Sequence, residues 1–383
     1  MASENFDLRI IEPKYDSNIV DLIIDLEHLR KRELLGTTIL PVFTQIKKLF
    51  HFVESVGSAR IEGNHTTVAD YLDSKEEHQT RTDVIQEIDN VDSALTFIED
   101  VFKKSPQTPI NRALISELHK HAVANLALPP LGEGDRTPGE YRKENVKILG
   151  TSHVPMDAAH VDAAMEELCN FINEEDRPKN HLLKIAIAHH RFVWIHPFTN
   201  GNGRVVRLLT YAMLVKLGFN ITEGRILNPT AVFCNQRDLY YQYLAQADSG
   251  RDEDLLTWCE YVLGGIKEEI EKVDRLLDYR YLAENVLYPA VAYVLKRRMI
   301  TPIEAGILTI AVDKQRIKNS DVRETHRGTQ LSSQDVTKHL ANLVERKMLQ
   351  PEEEKGRKYH ICLFNTHLVR GILKQLDQLG FLP

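Results

Sequence analysis

Apolar residues recur at helical spacing along most of the chain. In residues 83–102 they form one stripe, made of Val84, Ile85, Ile88, Val91, Ala94, Leu95, Ile98 and Phe102. Positions three and four apart share one face of a helix, so the pattern predicts an amphipathic helix. Similar patterns predict further helices at about 20–34, 39–57, 68–75, 110–125, 158–173, 180–194, 203–217, 235–247, 252–278 and 280–297. We therefore expect a mainly α-helical protein.

Residues 129–156 break this pattern, because they are rich in proline and glycine. At their centre, the run from Asn145 to Gly150 alternates as a strand does and ends in a turn residue. A β-hairpin inserted between helices is one interpretation, and an ordinary surface loop is the other. A lone hairpin is barely stable. It would therefore lean on the helical body and leave one edge free for an extended peptide.

The pattern changes again from about residue 298. A serine cap precedes an amphipathic helix from Val336 to Lys347, and two strand-like runs then flank the charged stretch EEEKGRK. Helix followed by hairpin predicts a winged helix-turn-helix domain. Residues 290–360 hold 14 Lys/Arg against 9 Asp/Glu in a chain of net charge −7. This local balance permits DNA binding, but winged helices also serve as protein-packing modules.

Length and composition narrow the class of protein. A chain of 383 residues predicts two or three compact units. No apolar run approaches the ~20 residues that cross a bilayer, and the N-terminus lacks the order of a secretory signal. We therefore expect no membrane partner and a cytoplasmic location. The cysteines at 169, 234, 259 and 362 form no CxxC pair, so we expect buried small hydrophobes.

The chemistry-bearing stretch is 196-HPFTNGNGRVVR-207, which runs into an apolar helix. Its turn, Asn200-Gly201-Asn202-Gly203, tolerates left-handed backbone, so successive N–H groups can point into one concavity. The helix N-terminus that follows adds partial positive charge. Arg204 and Arg207 lie three apart and can reach one phosphate group from the same side. The segment therefore predicts an anion cradle.

His196 stands directly before this cradle. Histidine has an unperturbed pKa near neutrality, which suits a general base that deprotonates a hydroxyl nucleophile. A histidine alone is more often packed or exposed, and only the cradle and both arginines make the catalytic interpretation the better one. His189 and His190 have no such support, and we expect them to be structural.

These residues resemble the signature of the Fic family, His-x-Phe-x-(Asp/Glu)-Gly-Asn-Gly-Arg-x-x-Arg, at every specified position but one. The family's hairpin, called the flap, resembles the stretch from Gly139-Glu140-Tyr141-Arg142 to Pro155. The stretch 235-NQRDLYYQYL-244 is similar to a segment that follows the family motif, and it contributes the nucleotide-pocket candidates Asn235, Tyr240 and Tyr241. The resemblance spans about residues 40–248.

The resemblance implies a helical Fic fold with a β-hairpin flap and an N-terminal helical extension, and the pattern after residue 298 adds the C-terminal winged helix-turn-helix domain. The implied boundaries are 1–105 for the N-terminal region with an inhibitory helix, 106–250 for the catalytic core, 251–297 for connecting helices and 298–383 for the winged helix.

The activity that the resemblance implies is transfer of AMP from ATP to a Ser, Thr or Tyr hydroxyl of a target protein, with Mg²⁺. His196 would be the base, and Gly201, Asn202 and Gly203 would hold the phosphates. Arg204 would lie on the β-phosphate side and Arg207 would reach the γ-phosphate. The flap residues Val146, Lys147, Ile148 and Leu149 would pair with the backbone of the target.

Asn200 is the one departure, because the family has Asp or Glu there to hold Mg²⁺. An amide oxygen carries no negative charge, so metal affinity should fall. The protein would then use Mg²⁺ held mainly by ATP, act slowly, or take another phosphate-containing donor. These three interpretations stay open.

Upstream, 58-SARIEGN-64 resembles an inhibitory motif of one class of the family. Ser58 and Glu62 lie four apart on one helix face, with Gly63 ending the helix. Glu62 would pair with Arg207 and remove the guanidinium that orients the γ-phosphate. A surface Ser/Glu pair without function is the alternative, since so short a pattern recurs by chance, but the position of the motif ahead of the Fic-like core favours the regulatory interpretation.

Two alternatives to autoinhibited AMP transfer remain. One is another phosphate-linked transfer, or removal of AMP with Glu62 activating water. The other is a DNA-binding regulator that reads DNA through Lys338 and Arg346. Self-association is frequent in the family, but no sequence feature fixes an oligomeric state.

Overall fold

The structure is a computed structural model that describes residues 7–31, 37–76, 82–148, 153–219, 226–325, 332–353, 356–364 and 367–383. Their secondary structure is mainly helical, as predicted. In chain order the first helices are α1 (Asn18–Lys31), α2 (Leu40–Ile61), α3 (Val68–Glu76), α4 (Asp83–Lys104), α5 (Arg112–Val123), α6 (Ala158–Asn173), α7 (Pro178–Ile195), α8 (Asn202–Leu217) and α9 (Thr230–Cys234).

The later elements begin with α10 (Arg237–Ala247) and α11 (Asp252–Asp274), followed by a 3₁₀ turn, a short helix α12 and a π-helical turn. The 3₁₀ turn spans Arg275–Leu277, α12 spans Tyr279–Leu282 and the π-helical turn spans Ala283–Leu287. The remaining elements are α13 (Tyr288–Lys296), α14 (Pro302–Lys314), α15 (Asn319–Thr325), α16 (Ser333–Glu345), β1 (Leu349–Pro351), β2 (Tyr359–Ile361) and α17 (Leu368–Gln378). None of the described helices is both long and apolar enough to cross a bilayer.

The chain divides into two compact units. The first contains residues 1–33, 51–66 and 78–271, and the second contains residues 34–50, 67–77 and 272–383. The four segments expected from the sequence remain a prediction.

The first unit is built around α7 and α8. Almost every α7 residue from Leu182 to Phe192 is buried, and so is the run from Arg204 to Leu214 in α8. A helix that is buried all round must be enclosed by others, and α4, α5 and α6 pack against this pair. His189 is part of this core, since its ring nitrogens hydrogen-bond Thr210 Oγ1 at 2.8 Å and Tyr240 Oη at 3.0 Å. This agrees with its predicted structural role.

The second unit contains the helix–hairpin order predicted for the C-terminal region. Ser332 caps α16 in a capping box with Asp335, so the helix begins three residues earlier than expected. Strands β1 and β2 then pair antiparallel, with Leu349 opposite Ile361. The two strand-like runs around EEEKGRK are thus confirmed, while the winged-helix class and DNA binding stay predictions.

Close packing of α13 and α17 in this unit depends on a glycine. A Cβ at Gly371 would lie 2.9 Å from the carbonyl oxygen of Ala290, closer than carbon and oxygen approach. The missing side chain lets the two helix backbones meet.

The cysteines agree only in part with the prediction of buried hydrophobes. Cys169 and Cys259 are buried, but Cys234 and Cys362 are partly exposed. All four are free thiols.

The flap was predicted to be a β-hairpin, but its described residues show no strand pairing. Residues 145–148 and 153–156 form no regular strand, and Leu149 lies outside the described residues. The two arms are joined instead by the guanidinium of Arg142, which donates to the carbonyls of Glu144 at 3.0 Å and Met156 at 2.6 Å. The guanidinium of Arg142 thus binds backbone carbonyls of both arms, which in a hairpin would accept hydrogen bonds from the opposite strand.

Candidate active site

His196 follows the last residue of α7 in left-handed backbone, with φ 53° and ψ 63°. A non-glycine residue there is uncommon and is held by its surroundings. Arg142 supplies that support, since its Nε donates to the His196 carbonyl at 2.8 Å and its N–H donates to the Pro197 carbonyl at 2.8 Å. Burial, together with the charges of Arg142 and His153, lowers the pKa of His196 to about 4. The imidazole is therefore neutral at physiological pH and can accept a proton.

The loop after His196 is folded by its own side chains. Asn202 accepts from the Phe198 N–H at 2.9 Å and donates to the Phe198 carbonyl at 2.8 Å. Gly201 has φ 76°, which glycine adopts without strain, and α8 begins at the next residue. The predicted cradle thus coincides with a hydrogen-bonded turn at a helix N-terminus. Asn202 shapes it from inside by holding the loop backbone.

His119 completes this loop, and sequence reasoning missed it. Its ring stacks on Phe198 with centroids 3.8 Å apart. Nδ1 accepts from the Gly139 N–H at 2.8 Å, so Nε2 must carry the proton that it donates to the Asn200 carbonyl at 3.1 Å. Burial lowers the pKa of His119 to about 4, in keeping with this neutral form. No local pattern marks His119, because its partners lie about 20 and 80 residues away.

The two arginines of the motif differ in what they contact. Arg204 is 1% exposed and donates to the carbonyls of Ala122 at 3.0 Å and Glu133 at 2.7 Å. Its Nη1 also lies 3.5 Å from the buried carboxylate of Glu87. Arg204 therefore joins α8 to its neighbours in this structure, rather than presenting its guanidinium to the open cradle.

Arg207 is held by both predicted residues of the upstream motif. Its Nε donates to Ser58 Oγ at 2.9 Å, and its Nη2 donates to Glu62 Oε1 at 2.7 Å. Helix α2 ends at Ile61, so Ser58 lies in its last turn and Glu62 in the turn beyond, before Gly63 with φ 100°. Burial opposes ionisation of Glu62, but the charge and hydrogen bond of Arg207 outweigh it and lower the Glu62 pKa.

The Glu62 carboxylate also lies against the cradle. A Cβ at Gly203 would meet Glu62 Oε1 at 2.2 Å, so the carboxylate fills the space that the glycine leaves open at the start of α8. An anion at a helix N-terminus is favoured by the unpaired N–H groups and the helix dipole. Glu62 thus occupies the kind of position that a bound phosphate would take.

The predicted nucleotide-pocket residues separate into two groups. Tyr240 is 2% exposed and bonded to His189, so the structure places it in the core. Asn235 and Tyr241 are exposed, and the guanidinium of Arg237 lies 5.3 Å from the Tyr241 ring centroid. Only these two remain accessible to a ligand in this structure.

Asn200 is engaged within the loop. Its Oδ1 accepts from the Gly201 N–H at 2.7 Å, and its Nδ2 donates to the Gly134 carbonyl at 3.3 Å. The carboxylate of Asp135 accepts the Asn200 N–H at 3.0 Å. Across the described ranges, no three His, Cys, Asp or Glu side chains group as metal ligands do. These residues therefore do not make a Mg²⁺ site by themselves.

The flap candidates show an alternating exposure. Val146 and Ile148 are half-buried and Lys147 is exposed. This is the alternation that the sequence predicted, although the segment has no strand partner of its own. Pairing with a target backbone stays a prediction.

Comparison with known proteins shows what this part of the chain is similar to. Residues 109–214 match the Fic/DOC family. This segment of the chain is similar to a Fic domain. It is 28% identical over 205 residues to a Nematostella vectensis protein named Protein adenylyltransferase Fic, and 30% identical over 209 residues to the Drosophila willistoni protein of the same name. These matches cover 53% of this chain but only 41% and 38% of the relatives, so the chain spans less than half of their length.

Solved structures share the fold that carries the Fic domain. A Fic family protein from Desulfovibrio desulfuricans has a TM-score of 0.53 at 18% identity, covering 91% of this chain and 98% of its own. Fic-1 (residues 134–508) from C. elegans has a TM-score of 0.53 at 21% identity, covering 70% and 72%. At these identities the likeness concerns the fold.

Proposed function

We propose that this protein transfers AMP from ATP to a Ser, Thr or Tyr hydroxyl of target proteins and of itself, and that Glu62 restrains the transfer. The support comes from the site and from relatives that bear the name Protein adenylyltransferase Fic. The observation that carries the proposal is the half-buried His196 at the start of the loop that leads through left-handed Gly201 to the N-terminus of α8.

The reaction follows from those positions. The target oxygen attacks the α-phosphorus of ATP and forms a new O–P bond, while the bond from that phosphorus to the bridging oxygen breaks and pyrophosphate leaves. His196 takes the hydroxyl proton, which a base with a low pKa can accept while the developing phosphoester makes the hydroxyl more acidic. The turn at Gly201 and the N-terminus of α8 stabilise the phosphate charge. Catalysis is then mainly positioning and electrostatics.

Restraint would come from the Glu62 carboxylate. It holds Arg207 at 2.7 Å and lies against Gly203, so it competes both for the guanidinium and for the cradle. Productive binding of the triphosphate requires Glu62 to leave. Its side chain is 27% exposed, while Arg207 is 2% exposed, so Glu62 is the partner that can move into solvent.

ATP is the donor in this proposal, and its phosphates would carry most of any Mg²⁺ coordination, since Asn200 offers one neutral oxygen. No step above depends on the metal. The target protein would dock along residues 146–148 of the flap, through backbone hydrogen bonds that read little of its side-chain sequence.

The test is incubation of the purified full chain with ATP labelled on the α-phosphate. We expect weak self-labelling by the wild type, stronger labelling by Glu62→Gly and none by Glu62→Gly/His196→Ala. Glu345→Gln, which removes an exposed carboxylate of α16, is the control and should label like the wild type. Equal labelling in all four proteins would contradict the assignment.

The same experiment separates the alternatives. Label from the γ-phosphate but not the α-phosphate would indicate phosphorylation, and loss of AMP from a pre-labelled target would indicate removal. The DNA-reading alternative gains no support from Arg346, whose Nη1 contacts Glu304 at 3.0 Å within its own unit. DNA binding, self-association and the cytoplasmic location stay predictions.

A further inference from the structure

The C-terminal end of α7 is capped by cations from the flap. The last carbonyls of a helix have no partner within it and carry partial negative charge. Here the Trp194 carbonyl accepts from His153 Nε2 at 3.1 Å, and the Ile195 carbonyl accepts from Arg142 Nη2 at 3.3 Å. The His196 carbonyl accepts from Arg142 Nε at 2.8 Å. Three consecutive carbonyls at the catalytic histidine are therefore bound by two cationic side chains.

These two side chains come from opposite arms of the flap. Arg142 precedes the flap residues 143–148, and His153 begins the next described segment, which returns to α6. Arg142 also donates to the Glu144 and Met156 carbonyls, so one guanidinium holds both arms and the helix end together. The position of the flap and the conformation of His196 are thus fixed by the same contacts.

His153 makes its two contacts only when it is protonated on both nitrogens. Its Nδ1 faces Asp248 Oδ2 at 2.9 Å, and its Nε2 faces the Trp194 carbonyl. A carboxylate and a carbonyl both accept hydrogen bonds and neither donates, so both ring nitrogens must be donors. The geometry itself requires an imidazolium.

We propose that Arg142 and His153 lock the flap onto the end of α7, and that loss of the His153 proton releases the returning arm and misplaces the target hydroxyl relative to His196. Both are positioning residues. The effect on transfer rests on the function proposed above, while the lock itself does not.

The charges around His153 set the direction of the pH dependence. Burial lowers its pKa, but the hydrogen bond and charge of Asp248 outweigh burial and raise it above the ordinary value. His190 of α7 binds the other oxygen of Asp248 at 2.9 Å, and the charges of Arg142 and His153 both act on His196. A raised pKa means that the lock is complete below the unfolded value near ~6.5 and is lost as pH rises through the folded value.

The lock can be tested without any activity. Nuclear magnetic resonance of the His153 ring should show a raised pKa in the wild type and a lower one in Asp248→Asn. Hydrogen exchange of residues 143–148 and 153–156 should be about tenfold faster in His153→Ala, the size expected for one hydrogen bond from a charged group. His153→Lys keeps a cation on that arm, so exchange should become less sensitive to pH.

The matched control is His160→Ala, because His160 is exposed on the first turn of α6 and makes none of these contacts. It should exchange like the wild type. An ordinary His153 pKa, or unchanged flap exchange in both His153→Ala and Asp248→Asn, would overturn the lock.

Transfer is measured separately in the Glu62→Gly background. We expect His153→Ala to raise KM for a protein target about tenfold and to leave KM for ATP nearly unchanged. If no variant transfers AMP while the exchange results hold, the proposed function is wrong and the lock stands. If transfer occurs but KM for the target does not change, the lock does not position the target.

Discussion

His196 has an acidic residue acting on each side of it, and the two differ in consequence. On the phosphate side, Glu62 holds Arg207 and fills the cradle. On the flap side, Asp248 holds His153, which caps the helix that carries His196. One carboxylate lies where a substrate anion belongs, and the other supports a wall of the site. The same kind of ion pair therefore restrains the site in one place and builds it in another.

The largest expected effect comes from replacing His196, which lies between the two carboxylates compared above. Replacing His196 by Ala in the Glu62→Gly background should lower AMP transfer ~100-fold to ~10,000-fold, because the base is lost while the cradle remains. Labelled-ATP kinetics give the rate, and an unchanged circular dichroism spectrum shows that the fold is intact. A rate within a factor of two of the parent would remove His196 from the mechanism.

Replacing the two arginines of the motif should reduce the stability of the protein by different amounts. Arg204→Gln leaves Glu87, with a side chain 6% exposed, without its buried cation, and we expect a loss of ~3 kcal/mol in the free energy of unfolding. Arg207→Gln leaves the more exposed Glu62, so a loss of ~1 kcal/mol is expected. Urea unfolding measures both. Equal losses would mean that Arg204 is not the structural arginine of the pair.

Neutralising the two carboxylates, Glu62 and Asp248, should change the rate of AMP transfer in opposite directions. Glu62→Gln should raise transfer about tenfold or more by freeing Arg207, and Asp248→Asn should lower transfer about tenfold by weakening the flap lock. The double variant should lie near the product of the two effects if the sites act independently. Two changes of the same sign would show that both carboxylates do the same thing.

The pH profile of the Glu62→Gly protein tests the state of the base. The neutral imidazole is the active form, and its pKa is about 4. Rates should therefore be constant between about pH 6, where the flap lock is complete, and about pH 5, and should fall below that as His196 gains a proton. A fall centred near pH ~6.5, the value of an exposed histidine, would show that burial does not set the pKa of His196.

The smallest effect concerns the metal. Asn200→Asp adds a charged oxygen beside Asp135, and we expect a few-fold lower Mg²⁺ requirement for transfer. A Mg²⁺ titration of the labelling rate measures it. No change in either Mg²⁺ dependence or rate would favour a different phosphate-containing donor over the other two interpretations of Asn200.

Within a single segment, sequence reasoning was close to the structure. The apolar stripes predicted the helices, since helical periodicity depends only on neighbouring residues. The run from His196 to Arg207 predicted a cradle at a helix start, and the structure has Gly201 in left-handed backbone before α8. The spacing of Ser58 and Glu62 predicted a shared helix face; Glu62 lies just beyond the end of α2, and both residues contact Arg207.

Contacts between distant segments were not predictable in this way. The flap was expected as a hairpin, but Arg142 takes carbonyls of both arms and of α7. Tyr240 was assigned to a nucleotide pocket and lies in the core. The roles of His119, Asp248 and His153 were not predicted from the sequence, because their hydrogen-bond partners lie 20 to 95 residues away.

The sequence by itself determined the local chemistry of this protein: helices, a phosphate-binding turn, a histidine before it and a carboxylate motif upstream. These depend on propensity, periodicity and backbone freedom over a few residues. Only the tertiary structure decided which cation meets which anion, that Arg204 is committed to carbonyls while Arg207 is held by Glu62, and that His153 must be charged. Burial, hydrogen-bond direction and pKa are properties of surroundings, and the surroundings of these side chains are assembled from segments far apart in the chain.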